Sequence, residues 1–153
     1  MTVFAEQWSE VFGAVHGLLV LISIFALVMA VIFTFAVSQH NWRHITISSL
    51  VATIGYLATF GFGLLVYPRF RVYVRGAFLD ARAPNSTGLF EIKEHVAAVG
   101  FFVALALLVV LLFGRLRRAS TWRKQLFAAL LMILALITLI VAALSYVLQA
   151  RKP

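Results

Sequence analysis

The chain has 153 residues, 63% of them hydrophobic and 12% charged, with a mean hydropathy of +1.03 and a formal charge of +8. A water-soluble domain of this length is nearer half apolar and about a quarter charged, so the composition excludes one. There is no cysteine, which excludes disulfides, thiolate metal sites and covalent haem attachment through a Cys-x-x-Cys-His motif.

The first predicted element is a helix over about 11–37, a block of 27 residues without Asp, Glu, Lys or Arg. It is too long for a signal-peptide core, and no small-residue cleavage site follows it. It carries His16, with Gly13 and Gly17 beside it. That glycine spacing serves either close helix packing or room for a flat cofactor. A short turn over 38–44 follows, where His40 and His44 stand four apart around Trp42 and Arg43. These read as interfacial residues, with a ligand pair as the alternative. The second helix covers about 45–67 and is uncharged over 23 residues; Gly55, Gly61 and Gly63 suggest close packing there.

Pro68 is expected to end that helix, because proline breaks a continuing one. Beyond it, Phe70, Tyr73, Val74, Ala77, Phe78 and Ala81 recur at spacings of three and four. Arg71, Arg75 and Arg82 fall on the other side. The pattern predicts an amphipathic helix over about 69–82, lying flat at the membrane interface. Residues 69–75 also alternate like a strand, but an unpaired strand edge beside lipid leaves its backbone unsatisfied. Residues 83–88 read as a turn by composition, and Asn85-Ser86-Thr87 matches the glycosylation sequon by chance within it. The third helix is expected over about 90–114, uncharged from 96 to 114, with Glu91 and Glu94 in its early turns and His95 at its mouth. The fourth covers about 125–149 and brings Ser145, Tyr146 and Gln149 to its end.

Each block reaches the roughly 20 residues a helix needs to cross the hydrocarbon layer. A barrel would instead show alternating segments of about ten residues. The expected fold is all-α: one transmembrane domain over 1–153, an integral membrane four-helix bundle with the interfacial helix between the second and third crossings. Four crossings put both termini and the loop 68–95 on one side, here side B, and the two short connections on side A. Side A carries Arg43, Arg115, Arg117, Arg118, Arg123 and Lys124; side B carries Arg69, Arg71, Arg75, Arg82, Lys93, Arg151 and Lys152. The totals nearly balance, but five of side A's cations crowd one short loop. That density points to side A as cytoplasmic and the termini as outside, in a bacterial inner membrane. The basic residues flank apolar blocks and meet lipid headgroups, so nucleic acid is not an expected partner.

The functional expectation rests on two imidazoles. His16 and His95 lie on helices that both start on side B, at similar expected depth, and intramembrane ionisable groups mark function by default. Two histidines on different helices of a bundle suit a six-coordinate b-type haem, with Arg69, Arg71 and Arg75 pairing with its propionates. A non-haem site using Glu91, Glu94, His95 and His16 is an alternative, although the Glu-x-x-His spacing of di-iron bundles is absent. A quinone pocket using histidine and Tyr146 is another and is compatible with haem. The bland alternative has His16 hydrogen-bonded to a neighbour and His95 in wet headgroups. The expected function is therefore a small membrane subunit of a quinone-linked respiratory electron-transfer system, working with other membrane subunits or as a homo-oligomer. A non-catalytic accessory subunit of a larger membrane complex is the alternative. Proton relay is disfavoured, since Tyr56 is the one ionisable residue expected at mid-membrane in the second and fourth helices. No catalytic triad, phosphate loop or nucleotide fingerprint occurs in the chain.

Overall fold

The computed structural model describes residues 8–35, 42–80, 84–114 and 116–150. They form four long helices: α1 (Ser9–Phe35), α2 (Trp42–Arg69), α3 (Pro84–Phe113) and α4 (Thr121–Ala150). A π-helical segment, Phe70–Leu79, runs on from α2, and a 3₁₀ turn, Leu116–Arg118, precedes α4. All four long helices are long and apolar enough to cross a membrane. Their outward faces are lined with large apolar side chains; Phe25, Phe102 and Phe113 are each more than two-thirds exposed. A surface of that kind is stable against lipid and not against water.

Two boundaries differ from the sequence expectation. Pro68 does not end the second helix: α2 passes through it to Arg69, and the winding widens to π two residues later. Proline removes one amide donor and crowds the carbonyl of Leu64, four residues back, yet the winding there stays α-helical. The segment 70–79 is helical, but π-wound and continuous with α2. Residues 84–88 are not a turn but the first turn of α3. Proline suits the first helical position, where its missing amide would have no partner. Glu91 and Glu94 consequently lie two turns or more inside α3, beyond the reach of its dipole. Arg82 and the end of the expected interfacial helix, 81–83, lie outside the described residues, as does His40.

The chain makes two helical hairpins. α1 packs along α2 and α3 along α4; α2 also packs on α3, while α1 touches α4 lightly. The diagonal pairs, α1 with α3 and α2 with α4, barely meet. The fully buried core runs from mid-bundle to side A: Ala30, Ile45, Ala52, Ala104, Leu107, Phe127, Leu131 and Leu134. Toward side B the packing loosens. No described residue of α1 before Ser23, of α2 after Tyr56 or of α4 after Ile137 is buried.

Close approaches at mid-bundle depend on small residues. Gly55 faces the Ser23 hydroxyl across the α1/α2 contact. Gly100 of α3 faces the ring of Tyr56 and the side chain of Ile137, so three helices meet at that glycine. A methyl group there would strike both. Gly100→Ala is therefore expected to destabilise the fold by about 1–3 kcal/mol, the usual range for an overfilled core. Gly61→Ala, where a Cβ meets open space, should be close to neutral. Reversible unfolding in mixed micelles checks the pair; equal effects would show that the three-helix junction is not tight.

Candidate functional site

α2 carries a line of polar groups through the bundle. Thr53 is fully buried and donates to the Ser49 carbonyl at 2.7 Å. Tyr56, 9% exposed, donates to the Ala97 carbonyl of α3 at 3.1 Å. Ser23 of α1, 5% exposed, donates to the Leu19 carbonyl at 2.6 Å and stands 3.3 Å from the Thr59 hydroxyl. Hydrocarbon favours polar groups that have a protein partner, and these bonds tie α1 and α3 to the same helix; the fully buried Ser49 hydroxyl has none.

His16 completes this line toward side B. Its ring is half-buried between α1 and α2, beside Gly63, with Nδ1 3.0 Å from the Thr59 carbonyl. A carbonyl oxygen can only accept, so Nδ1 is the donor and Nε2 of the neutral ring keeps its lone pair. His95 is held in the same sense: its Nδ1 donates to the Glu91 carbonyl at 2.7 Å, one turn back in α3. Its ring is exposed. Donation from one ring nitrogen to a carbonyl is the arrangement that orients a histidine for ligation through the other.

The two rings do not touch. They occupy diagonal helices, and each spends its hydrogen bond elsewhere. Their depths are similar. Tyr67 of α2 reaches Glu94 and Tyr56 reaches the Ala97 carbonyl, on either side of His95, so His95 stands opposite the stretch of α2 between those tyrosines, and His16 lies against Gly63 of the same stretch. Gly13 and Gly17 flank His16 at the loose end, and no described atom lies within 4 Å of where a side chain would begin. Their spacing is not used for packing within this chain's described residues.

Above the rings a clamp joins the π-helical segment to the head of α3. Arg75 binds the Glu91 carboxylate at 2.5 Å and lies 3.8 Å from that of Asp80. Asp80 accepts from the Thr87 hydroxyl at 2.8 Å. Tyr67 donates to Glu94 at 3.5 Å and accepts from Arg75. Burial works against the Arg75 charge, but the Tyr67 hydroxyl and the fields of Glu91 and Asp80 outweigh it, holding the guanidinium above its ordinary pKa. Aromatic stacking supports the same contact. Phe70 lies 4.4 Å and Tyr67 6.4 Å, centroid to centroid, from the buried ring of Phe90, with the Lys93 ammonium 4.7 Å from that ring's centroid.

Of the residues singled out from sequence, the structure brings together Arg75 with Glu91, and His16 with α2. Arg71 and Tyr146 are both exposed, and Tyr146 is 77% so. The side chain of Arg69 lies outside the described residues. No cluster of three or more potential metal ligands occurs among the described residues. Sequence reasoning missed Thr59, Tyr67 and Asp80. Tyr67 sits among apolar neighbours, and the Thr59 contribution is a backbone carbonyl, which carries no sequence signal.

No family model matches the chain, and neither a curated protein nor a solved structure is significantly similar to it.

The clamp is half exposed, so its ion pair is worth little in unfolding free energy. Arg75→Gln is expected to cost under about 1 kcal/mol globally. It should nonetheless speed amide exchange across 70–79, since this side chain ties the segment to α3. Glu91→Gln should do the same, and the double variant should add nothing. Additive effects, or unchanged exchange in both single variants, would mean that aromatic stacking alone holds the segment.

Proposed function

We propose that the protein is a small membrane subunit of a quinone-linked respiratory electron-transfer system and binds b-type haem through His16 and His95. The observation carrying this reading is that both imidazoles donate Nδ1–H to a main-chain carbonyl at the loosely packed end of the bundle. Each therefore keeps an Nε2 lone pair that would hold a haem iron. The bare glycines beside His16 leave room for a flat group without displacing a packed side chain.

Bound haem supplies a one-electron carrier. The chain's own part is to fix both ring tautomers, to exclude water with apolar helix faces, and to supply cations at the side-B end. Arg75 is already paired with Glu91 and Asp80, which leaves Arg71, and Arg69 beside it in sequence, as the better partners for propionates. The same pairing argues against Glu91 as a ligand of a non-haem metal, because coordination would break the clamp. A quinone fits the same end, with an imidazole or Tyr146 as donor and apolar helix faces against its tail. The reading includes a bacterial inner membrane, termini outside and other membrane subunits as electron partners.

A second reading, a non-catalytic accessory subunit, is favoured by the diagonal placement of the rings. In it, a helix from a partner subunit or a second copy covers the open Gly13–Gly17 face. One experiment separates the two: visible spectra of the dithionite-reduced protein purified from native membranes. The haem reading expects a b-type α band that disappears in both His16→Ala and His95→Ala while the folded yield is kept. A colourless protein that co-purifies with other membrane subunits would overturn it in favour of the accessory reading.

A further inference from the structure

The five acidic residues of this chain are Glu6, Glu10, Asp80, Glu91 and Glu94. In chain order Glu6 precedes α1, Glu10 falls at its start, and the other three fall between the end of α2 and the early turns of α3, the stretches assigned to side B; none falls in the two side-A connections. Side A carries six Lys and Arg side chains and no acid, so none of its cations can be neutralised by a carboxylate at its own end of the chain. Two of them rest on aromatic rings: the Lys124 ammonium lies 4.8 Å from the Trp42 ring and the Arg123 guanidinium 5.3 Å from the Trp122 ring. Arg117 and Arg118 are arranged differently. They form the 3₁₀ turn Leu116–Arg118, are both exposed, and line a cleft of about 370 Å³ with Thr46, Leu111 and Leu116.

The cleft is amphipathic in a definite way. Leu111 and Leu116 are buried members of the core and make an apolar floor that continues into the bundle. The two guanidinium groups stand at the rim. The Thr46 hydroxyl already gives its proton to the Trp42 carbonyl at 2.8 Å, so the arginines are the donors this cleft offers to an anion. Guanidinium forks match phosphate oxygens two at a time, and the volume suits a small headgroup. The cleft lies where α2 begins, α3 ends and the turn before α4 runs, at the ends of the candidate membrane spans, where headgroups are expected.

We infer that this cleft is a binding site for an anionic phospholipid, with the headgroup phosphate held by Arg117 and Arg118 and the acyl–glycerol junction against Leu111 and Leu116. The apolar floor and the position at the membrane boundary select a lipid over free phosphate. The site is independent of the haem reading: it lies at the opposite end of the bundle and shares no residue with it.

The test is native mass spectrometry of the full-length protein released from nanodiscs that mix phosphatidylglycerol with phosphatidylcholine. At about one decade of affinity per 1.4 kcal/mol, and about 1 kcal/mol for each basic side chain near an anionic surface, two arginines correspond to a roughly 30-fold preference for phosphatidylglycerol. One retained phosphatidylglycerol per chain is expected. Arg117→Gln with Arg118→Gln should reduce the preference to near parity. Arg123→Gln, on the same side but outside the cleft, should leave it unchanged. Both changes are at exposed positions, and a melting curve in phosphatidylcholine alone reports folding separately. Loss of preference in Arg123→Gln equal to that in the cleft variants would mean diffuse surface attraction and overturn the site. Stabilisation by inorganic phosphate equal to that by phosphatidylglycerol would overturn the assignment to lipid, as would binding of both lipids alike.

Discussion

Hydrocarbon offers no hydrogen bonds, and that single property of the solvent governs this structure. It forces the backbone into helices, it turns apolar side chains outward, and it presses polar groups inside to find protein partners, with the buried Ser49 hydroxyl as the exception among the described residues. The outward phenylalanines are stable only in that setting. The polar groups of α2 follow from the same rule. Tyr56 and Thr59 are bonded across to α3 and α1, so the helix that carries most polarity through the membrane is also the one both neighbours grip. A hydroxyl or imidazole that would be an ordinary surface group in water becomes an orienting device here.

Packing is divided along the membrane normal, and polarity follows the division. From mid-bundle to side A, alanine and leucine layers fill the interior and glycine lets three helices converge. Toward side B no comparable layer exists, and the polar and titratable groups gather instead. The clamp of Arg75, Glu91, Asp80 and Tyr67, with the Phe70–Phe90 stack, ties the mouth of α3 to the end of α2. A loosely packed end with its helix mouth tied in register is a suitable place to bind something without unfolding the rest. The charge pattern repeats the division: acids are confined to side B, and side A is cationic throughout.

Much of the fold was legible in the sequence because long uncharged blocks leave few alternatives. Four helices, their order and their approximate bounds follow from the spacing of charges alone. What was not legible has a physical reason in each case. Pro84 and Gly88 look like a turn by composition, yet proline at a first helical position extends α3 and moves Glu91 and Glu94 inward. Pro68 looks like a stop, yet α2 runs through it and continues as a π-helical segment. His16 and His95 were recognisable as costly residues to keep in a membrane, but the groups that orient them are the carbonyls of Thr59 and Glu91. Helix register decides which carbonyl meets which ring, and register is a property of the packed bundle.

The claim on which the functional account stands is that both rings are pinned through Nδ1 and keep Nε2 for a ligand. Nitrogen-15 spectra of histidine-labelled protein in bilayers report this directly, at alkaline pH where imidazoles are neutral, with His40 and His44 replaced by Gln to simplify assignment. The account predicts protonated Nδ1 and unprotonated Nε2 at both His16 and His95. A proton on Nε2 of either ring would contradict it.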